Sequence, residues 1–460
     1  MNNCKDILDK VKKIHFIGIG GSGMSPLAEI LESKGFEISG SDNYISDTLQ
    51  KMIDNEYKIY TQHHEKNIDK ADLIVYTTAV HENNLELIAA RKSGLPIFER
   101  AEMLGILTSM YQNLIAVSGT HGKTTTTSMI SQILMDANFD PTAIIGGKLN
   151  SINSNSKIGN SQTVVCEACE YMDAFLHLHP EISIITNIDL DHLDYFKNLD
   201  NVIKSFRKFI KLASQAVFIN GDDENSKESI KKLDANVITF GFNKDNTYTA
   251  EILSKESEPC KRFKILKNNS FLCEIKLSIL GNYNVYNALA AASVADFKGI
   301  PADIIKKSLN SFSGIHRRFE LLGTPNNIAI IDDFAHHPTE VSAVLSSATK
   351  FGFKRVFAIF QPHTYSRTYD HLEGFAKSLS IADHVILSEI LAVRENNVYN
   401  ITSEDLAKKI KRCTYLKTFE EITDYIEKNA LSGDLILTMG GGNAYVCANM
   451  ILERLNKKYL

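Results

Sequence analysis

No stretch of this 460-residue chain reaches about 18 apolar residues in a row, so no segment is expected to span a membrane. Positive charge is not in excess either. Fifty Lys and Arg stand against 55 Asp and Glu, a net charge of −5, which argues against a general nucleic-acid or membrane-surface binder. Met1 to Lys13 is charged and holds no apolar run of signal-peptide type. Tryptophan is absent, only nine prolines occur, and there is no internal repeat or extended low-complexity tract, which leaves ordinary folded domains. Seven cysteines, an odd number, fit a reducing, cytoplasmic setting. Cys166 and Cys169 form a C-x-x-C, but no second close pair exists to complete a zinc site. In a strand over Thr163–Glu170, residues three apart point to opposite faces, so the pair reads as two small structural residues.

What is present is 44% hydrophobic and 23% charged residues, ordinary for a globular protein. At about 100–200 residues per domain, the length suggests three domains, or else two. The first hundred residues alternate strand patterns (Lys13–Ile19, Glu37–Gly40, Lys58–Thr61, Asp72–Thr77, Pro96–Phe98) with helical ones, the rhythm of a parallel sheet covered by helices. A helical segment, Arg100 to Tyr111, leads into a second region with strands at Asn113–Val117, Thr163–Glu167, Ile182–Asn187 and Ala216–Ile219. Short alternating strands at Tyr248–Leu253, Arg262–Leu266 and Phe271–Leu277 suggest an antiparallel annex, and the polar stretch Asn150 to Gln162 a mobile loop. A third alternating region begins near His316 and ends in a helix, Asn443 to Leu455. The fold class is therefore α/β, with domains expected over 1–110, 111–314 and 315–460.

The most informative run is Ser118-Gly119-Thr120-His121-Gly122-Lys123-Thr124-Thr125, set between the strand Asn113–Val117 and a helical pattern. A glycine-rich turn at a helix N-terminus leaves backbone N–H groups unpaired and aimed at one point, which suits a phosphate chain. Lys123 adds a charge for the outer phosphates and Thr124 a hydroxyl for Mg²⁺. Val117 stands where the full P-loop pattern has its first glycine, so the loop is a shortened relative. Gly18-Ile19-Gly20-Gly21-Ser22-Gly23 fits G-x-G-x-x-G after the first strand, with Asp42 ending the next. Taken alone it suggests a dehydrogenase; its physical content is that a diphosphate can sit there, with Asp42 near a ribose.

Further groups collect at strand ends. Glu167 and His192 could hold Mg²⁺. Asn284 and Asn287 open a helix, where they either read an adenine edge or cap it. Arg317 and Arg318 reach phosphate or form an interdomain ion pair. Asp332, Asp333 and His336 follow a strand of four apolar residues, and His363, Ser366 and Arg367 follow the next. Two such loops at successive strand ends would form one face of a pocket. Gly440-Gly441-Gly442 reads as a turn that admits close backbone approach.

In order along the chain, HFIGIGGSGMSPLA, SGTHGKTTTT, TNIDLDH, GNYNVYNALAA, RRFE, DDFAHHPTE and QPHTYSRT resemble the Mur ligase family, ATP-dependent enzymes that form amide bonds in peptidoglycan precursor synthesis. The likeness covers essentially the whole chain. It implies an N-terminal Rossmann-like domain, a central P-loop ATPase-like domain with a mixed sheet, and a C-terminal Rossmann-like domain. Within the family the motifs are most like those of members that join L-alanine to UDP-N-acetylmuramate; a sister activity would add a preformed peptide to the same sugar nucleotide. By residue, the resemblance implies UDP-sugar contacts at Gly18, Gly20, Gly21, Gly23 and Asp42. It implies ATP contacts at Gly119, Thr120, His121, Gly122, Lys123, Thr124, Thr125, Asn284, Asn287, Arg318 and Asp333. Mg²⁺ falls to Thr124, Glu167 and His192. His363 and Arg367 would meet the amino acid, and Lys123, Arg318, Asp333 and His336 would serve catalysis, with His336 or another local group accepting the amine proton. Arg207 lies near the place where several relatives carry a carbamylated lysine, so no such lysine is assigned.

Overall fold

The computed structural model describes residues 7–255, 258, 260–393 and 395–459. The chain divides into two compact units. The first runs through Leu253 and takes in Lys261–Ser278 and Asn282–Ser313; the second holds Gly314–Leu460 with the short pieces Ser254–Cys260 and Ile279–Gly281. Among the described residues no helix is long and apolar enough to cross a membrane.

The first unit carries two sheets. One has five strands, β1 (Lys13–Ile17), β2 (Glu37–Ser41), β3 (Lys58–Tyr60), β4 (Leu73–Tyr76) and β5 (Ile97–Glu99), all parallel in the order β3-β2-β1-β4-β5. The order reverses beside β1, and the loop after β1 lies at that switch point, where α/β sheets collect ligands. The other sheet has ten strands: β6 (Asn113–Ser118), β7 (Thr142–Leu149), β8 (Ser154–Lys157), β9 (Thr163–Glu167), β10 (Ile182–Ile185), β11 (Ala216–Asn220), β12 (Val237–Gly241), β13 (Tyr248–Ile252), β14 (Cys260–Lys267) and β15 (Ser270–Leu280). They run in the order β15-β14-β13-β12-β11-β10-β6-β9-β7-β8. The central strands read as unbroken apolar runs because helices cover both faces. In β6, Leu114 to Ser118 are all buried.

Two expectations change here. The Ser/Asn-rich stretch Asn150 to Gln162 is not simply a loop: β8 lies inside it and pairs antiparallel with β7. Its polar side chains are accounted for by contacts with the first domain. Asn155 Nδ2 donates to Ser22 O (2.9 Å) and Ser156 Oγ to Glu29 Oε2 (2.6 Å). The annex of short strands is likewise continuous with the main sheet, since β13 pairs parallel with β12 before β14 turns antiparallel. The strand carrying Cys166 ends at Glu167, so Cys169 lies beyond it.

One hydrophobic core runs through both sheets of this unit. The helix Arg100–Thr108 contributes Met103, Leu104, Ile106 and Leu107, and Phe175 stacks on Phe209 with ring centroids 4.6 Å apart. The alanine-rich helix Tyr283–Phe297 packs on the helix Lys123–Asp136 that follows the P-loop, small side chains allowing close approach.

The second unit has a six-stranded sheet of β16 (Glu320–Gly323), β17 (Ala329–Asp333), β18 (Val356–Phe360), β19 (His384–Leu387), β20 (Cys413–Tyr415) and β21 (Leu435–Met439), ordered β16-β17-β21-β18-β19-β20. Only β16 is antiparallel to its neighbour. Separate apolar clusters fill its two faces.

Candidate active site

Gly122 ends the P-loop with φ +85° as the N-cap of the helix Lys123–Asp136. A Cβ there would fall 2.4 Å from Asn287 Oδ1, so only glycine fits. A glycine N-cap supplies no side chain to the first helical N–H groups, which leaves them for a ligand. The loop is pinned from β10: His121 N donates to Asn187 Oδ1 (2.9 Å), Thr186 Oγ1 and Asn187 Nδ2 donate to His121 O (2.5 and 2.9 Å), and Thr120 N donates to Asn187 O (3.0 Å).

Lys123 Nζ donates to Gly119 O (2.5 Å), Thr120 O (3.1 Å) and Glu170 Oε1 (2.9 Å). Burial by itself would depress its pKa, but the carboxylates of Glu170 and Glu167 outweigh that and raise it. Thr124 Oγ1 donates to Glu167 Oε2 (2.8 Å), and Gly146 N on β7 reaches the same oxygen (3.1 Å). Thr125 follows in the first helical turn.

Two of the three expected metal ligands are thus adjacent. His192 keeps other company: its ring lies 4.6 Å from that of Tyr171 and its Nε2 is 3.9 Å from Asp191 Oδ2. Among the described residues no group of three or more His, Cys, Asp or Glu is placed to hold a metal. Asn284 and Asn287 do not cap their helix: both are buried, Asn287 Oδ1 accepts from Thr126 Oγ1 (3.2 Å), and Asn287 Nδ2 donates to Asn284 Oδ1 (2.9 Å).

At the first glycine loop, Gly18 N and Ile19 N donate to Ser41 O (2.8 and 3.1 Å), and Gly20 N to Asp42 Oδ2 (3.2 Å). Gly21 N closes the turn on Gly18 O (3.2 Å), and the space for a Cβ at Gly23 is bounded by Arg100 at 3.1 Å.

In the second unit Arg317, not the exposed Arg318, is the buried guanidinium. Its Nε donates to Asp332 Oδ2 (2.9 Å), Nη1 to Gly442 O and Nη2 to Gly440 O (both 2.5 Å). This is an ion pair within the unit, and it draws the triple-glycine turn against β17. A Cβ at Gly442 would meet Leu391 at 2.1 Å, which bears out the close approach read from the glycines. Asp333 is buried and accepts from Phe319 N (2.7 Å) and Ala335 N (2.8 Å). Burial pushes its carboxyl up to about 6, with Arg318 acting in the opposite sense.

His336 and His363 face each other with ring centroids 5.9 Å apart. His336 Nδ1 donates to Phe334 O (2.9 Å), since a carbonyl only accepts; the neutral ring then carries its lone pair on Nε2. Arg367 Nη1 donates to His363 Nδ1 (3.1 Å), which requires the opposite tautomer there. Burial, with the positive groups nearby, lowers the pKa of both, His363 to about 4. Both rings are expected to remain neutral at pH 7, with opposite tautomers, and His363 to be half protonated only near 4. Nitrogen-detected NMR of the rings checks this. The unfolded chain takes up these protons near pH ~6.5, so their linkage weakens the fold as pH falls through that value.

Three family models match in succession: Mur ligase family, catalytic domain over residues 13–112; Mur ligase middle domain over 117–295; and Mur ligase, glutamate ligase domain over 317–442. The chain belongs to the Mur ligase family. Its relatives include the UDP-N-acetylmuramate–L-alanine ligases of Caldanaerobacter subterraneus subsp. tengcongensis (43% identical, covering 98% of this chain and 99% of that protein) and Acetivibrio thermocellus (45%, 97% of each). The solved UDP-N-acetylmuramate-alanine ligase of Thermotoga maritima superposes with a TM-score of 0.80 at 30% identity over 97% of this chain and 100% of that one. A murein peptide ligase from Psychrobacter arcticus shares the fold at 24% identity, with a TM-score of 0.71 over 97% of this chain and 99% of its own.

Three side chains of this Mur ligase have contacts that its motifs did not disclose. Glu170 pairs with Lys123, Asn187 pins the P-loop, and Arg317 rather than Arg318 is the buried cation. Asn187 was accessible in principle: β6 and β10 are parallel neighbours, so the residues after both strands must meet. Arg207 donates to Ser229 O (3.1 Å) and Glu228 O (2.6 Å) at the end of the helix Glu224–Ile230, a structural engagement.

Proposed function

We propose that this Mur ligase joins the amine of L-alanine to the carboxylate of UDP-N-acetylmuramate, with ATP converted to ADP and phosphate. The substrate reading rests chiefly on the alanine ligases that match it at 43–45% identity over nearly their whole length. Lys123, half-buried at a helix N-terminus beside Thr124 and Glu167, supports the ATP chemistry. A carboxylate resists attack because oxide would have to leave. Phosphorylation of the sugar carboxylate gives an acyl phosphate from which the alanine amine displaces phosphate. In this scheme residues 1–110 hold the sugar nucleotide at Gly18, Gly20, Gly21, Gly23 and Asp42, and residues 111–314 hold ATP. Residues 315–460 hold the amino acid.

Mg²⁺, held by Thr124 and Glu167 with His192 the further candidate, would neutralise phosphate charge. Lys123 does the same from the protein side and orients the terminal phosphate. Asn284 and Asn287 lie buried together beside the P-loop and would border the nucleotide. Arg318, exposed, and Asp333, buried, are the second unit's candidates for nucleotide contact. The Nε2 lone pair of His336 suits it to take the proton from the attacking amine.

The test is phosphate release from ATP and UDP-N-acetylmuramate with L-alanine, compared with L-alanyl-γ-D-glutamyl-diaminopimelate. Turnover with the peptide and none with alanine would establish the sister activity instead. In the same assay Arg367→Lys is expected to raise the KM for alanine about ten- to a hundredfold, the loss of one charge-assisted contact, while the KM for ATP stays put. Equal changes in all KM values would assign Arg367 to pocket structure.

A further inference from the structure

A polar cluster lies behind the first glycine loop, built from residues given no role so far. Glu86, in the first turn of the helix Leu85–Ser93, is fully buried. Its Oε2 accepts from Ser41 Oγ and from His63 Nδ1 (2.8 Å); its Oε1 accepts from Asn67 Nδ2 and lies 3.8 Å from Nε2 of the buried His15. One carboxylate therefore ties the end of β2 and the segment after β3 to the helix, with His15 of β1 alongside. Burial opposes its charge, but the surrounding donors prevail and hold the carboxyl far below its usual range. A buried carboxylate without such donors would be strongly disfavoured and would not remain charged. Donors from the end of β2 and from the segment after β3 converge on this one carboxylate.

Ser41 is what connects this cluster to the ligand loop. Its hydroxyl is held by Glu86, and its carbonyl accepts the N–H groups of both Gly18 and Ile19. The next residue, Asp42, accepts from Gly20 N. Three consecutive N–H groups of the glycine loop are therefore fixed by two residues whose own position Glu86 sets. We infer that Glu86 is a positioning residue for the sugar nucleotide, holding Ser41 and Asp42 where the glycine loop can take the diphosphate. This rests on the reading of that loop as the UDP-N-acetylmuramate site.

The full-length chain is assayed with ATP, L-alanine and UDP-N-acetylmuramate. Glu86→Ala is expected to raise the KM for the sugar nucleotide at least tenfold while kcat and the KM values for ATP and alanine stay within threefold. Glu86→Gln should restore most of the affinity. Its oxygen can serve Asn67, and its amide can face Ser41 and His63, both of which can turn acceptor. Should Glu86→Ala not fold, Ser41→Ala removes only the link and is expected to raise the same KM three- to tenfold. A rise shared equally by all three substrates, or no rise in an active Glu86→Ala or Ser41→Ala protein, overturns the inference alone. A wild-type protein inert toward UDP-N-acetylmuramate overturns the underlying reading and this one with it.

Discussion

Lys123→Ala is expected to lower kcat by at least a hundredfold. Removing one preorganised donor to a developing oxyanion typically costs ~3–4 kcal/mol of transition-state stabilisation, and here the donor carries full charge. The substitution also has a structural effect that must be separated from the chemical one. Glu170 is 2% exposed, and its Oε2 has no hydrogen-bond partner among the described residues, so Lys123 is its main compensation. Leaving such a carboxylate unpaired typically destabilises by ~3–5 kcal/mol. Lys123→Ala should therefore melt earlier as well as turn over slowly. The double variant Lys123→Ala/Glu170→Gln should recover much of the melting temperature and none of the rate. Recovery of rate in the double variant, or a single variant within tenfold of wild type, would mean that Lys123 serves the loop's structure and not the phosphate.

Arg317→Met should produce the largest loss of stability in the second unit. The guanidinium binds Asp332, which is fully buried, and the carbonyls of Gly440 and Gly442, and it lies between the rings of Phe334 and Tyr445 at 5.0 and 5.2 Å. Burial already pushes the Asp332 carboxyl up, with Arg317 and Thr438 restraining it. Without Arg317 the buried Asp332 carboxylate loses its counter-charge and keeps only Thr438 Oγ1, and the buried Gly440 carbonyl and half-buried Gly442 carbonyl lose a donor, a cost of ~3–5 kcal/mol. At roughly 2–4 °C per kcal/mol, the midpoint should fall by about 6–20 °C in calorimetry. Arg317→Lys should rescue little, because one ammonium cannot reach three acceptors in the fork's geometry. Arg318→Ala, at an exposed position, should change stability by under ~1 kcal/mol. Equal shifts for the two arginines would contradict the assignment of Arg317 as the internal strut.

Much of this was legible in the residues. The alternation of apolar strand and amphipathic helix marks both outer sheets, because a parallel sheet must be covered on each face. The P-loop declared itself through Gly119, Gly122 and Lys123, since those residue types answer to backbone geometry and phosphate charge. The parts that stayed hidden depend on which distant segments meet. β8 is polar because its partners are Ser22 and Glu29, a hundred and more positions away. Composition alone cannot distinguish such an edge strand from a loop. Glu170 and Arg317 were visible as charges, but whether a charge is buried and against what is set by tertiary packing. Arg317 and Arg318 are adjacent and chemically alike; φ +61° at Arg317 belongs to a local turn that sends one inward and leaves the other exposed.

The helix Arg100–Thr108 has a consequence for how the first unit holds together. Met103, Leu104 and Leu107 belong to the same buried cluster as Ile14 and Val75 on one side and Phe175 and Phe206 on the other. A chain cut after Thr108 would take from that helix the packing partners that lie later in the sequence, Phe175 and Phe206 among them. The first two sheets share this buried cluster, so they are expected to exchange their amide protons on one timescale and to melt in one transition.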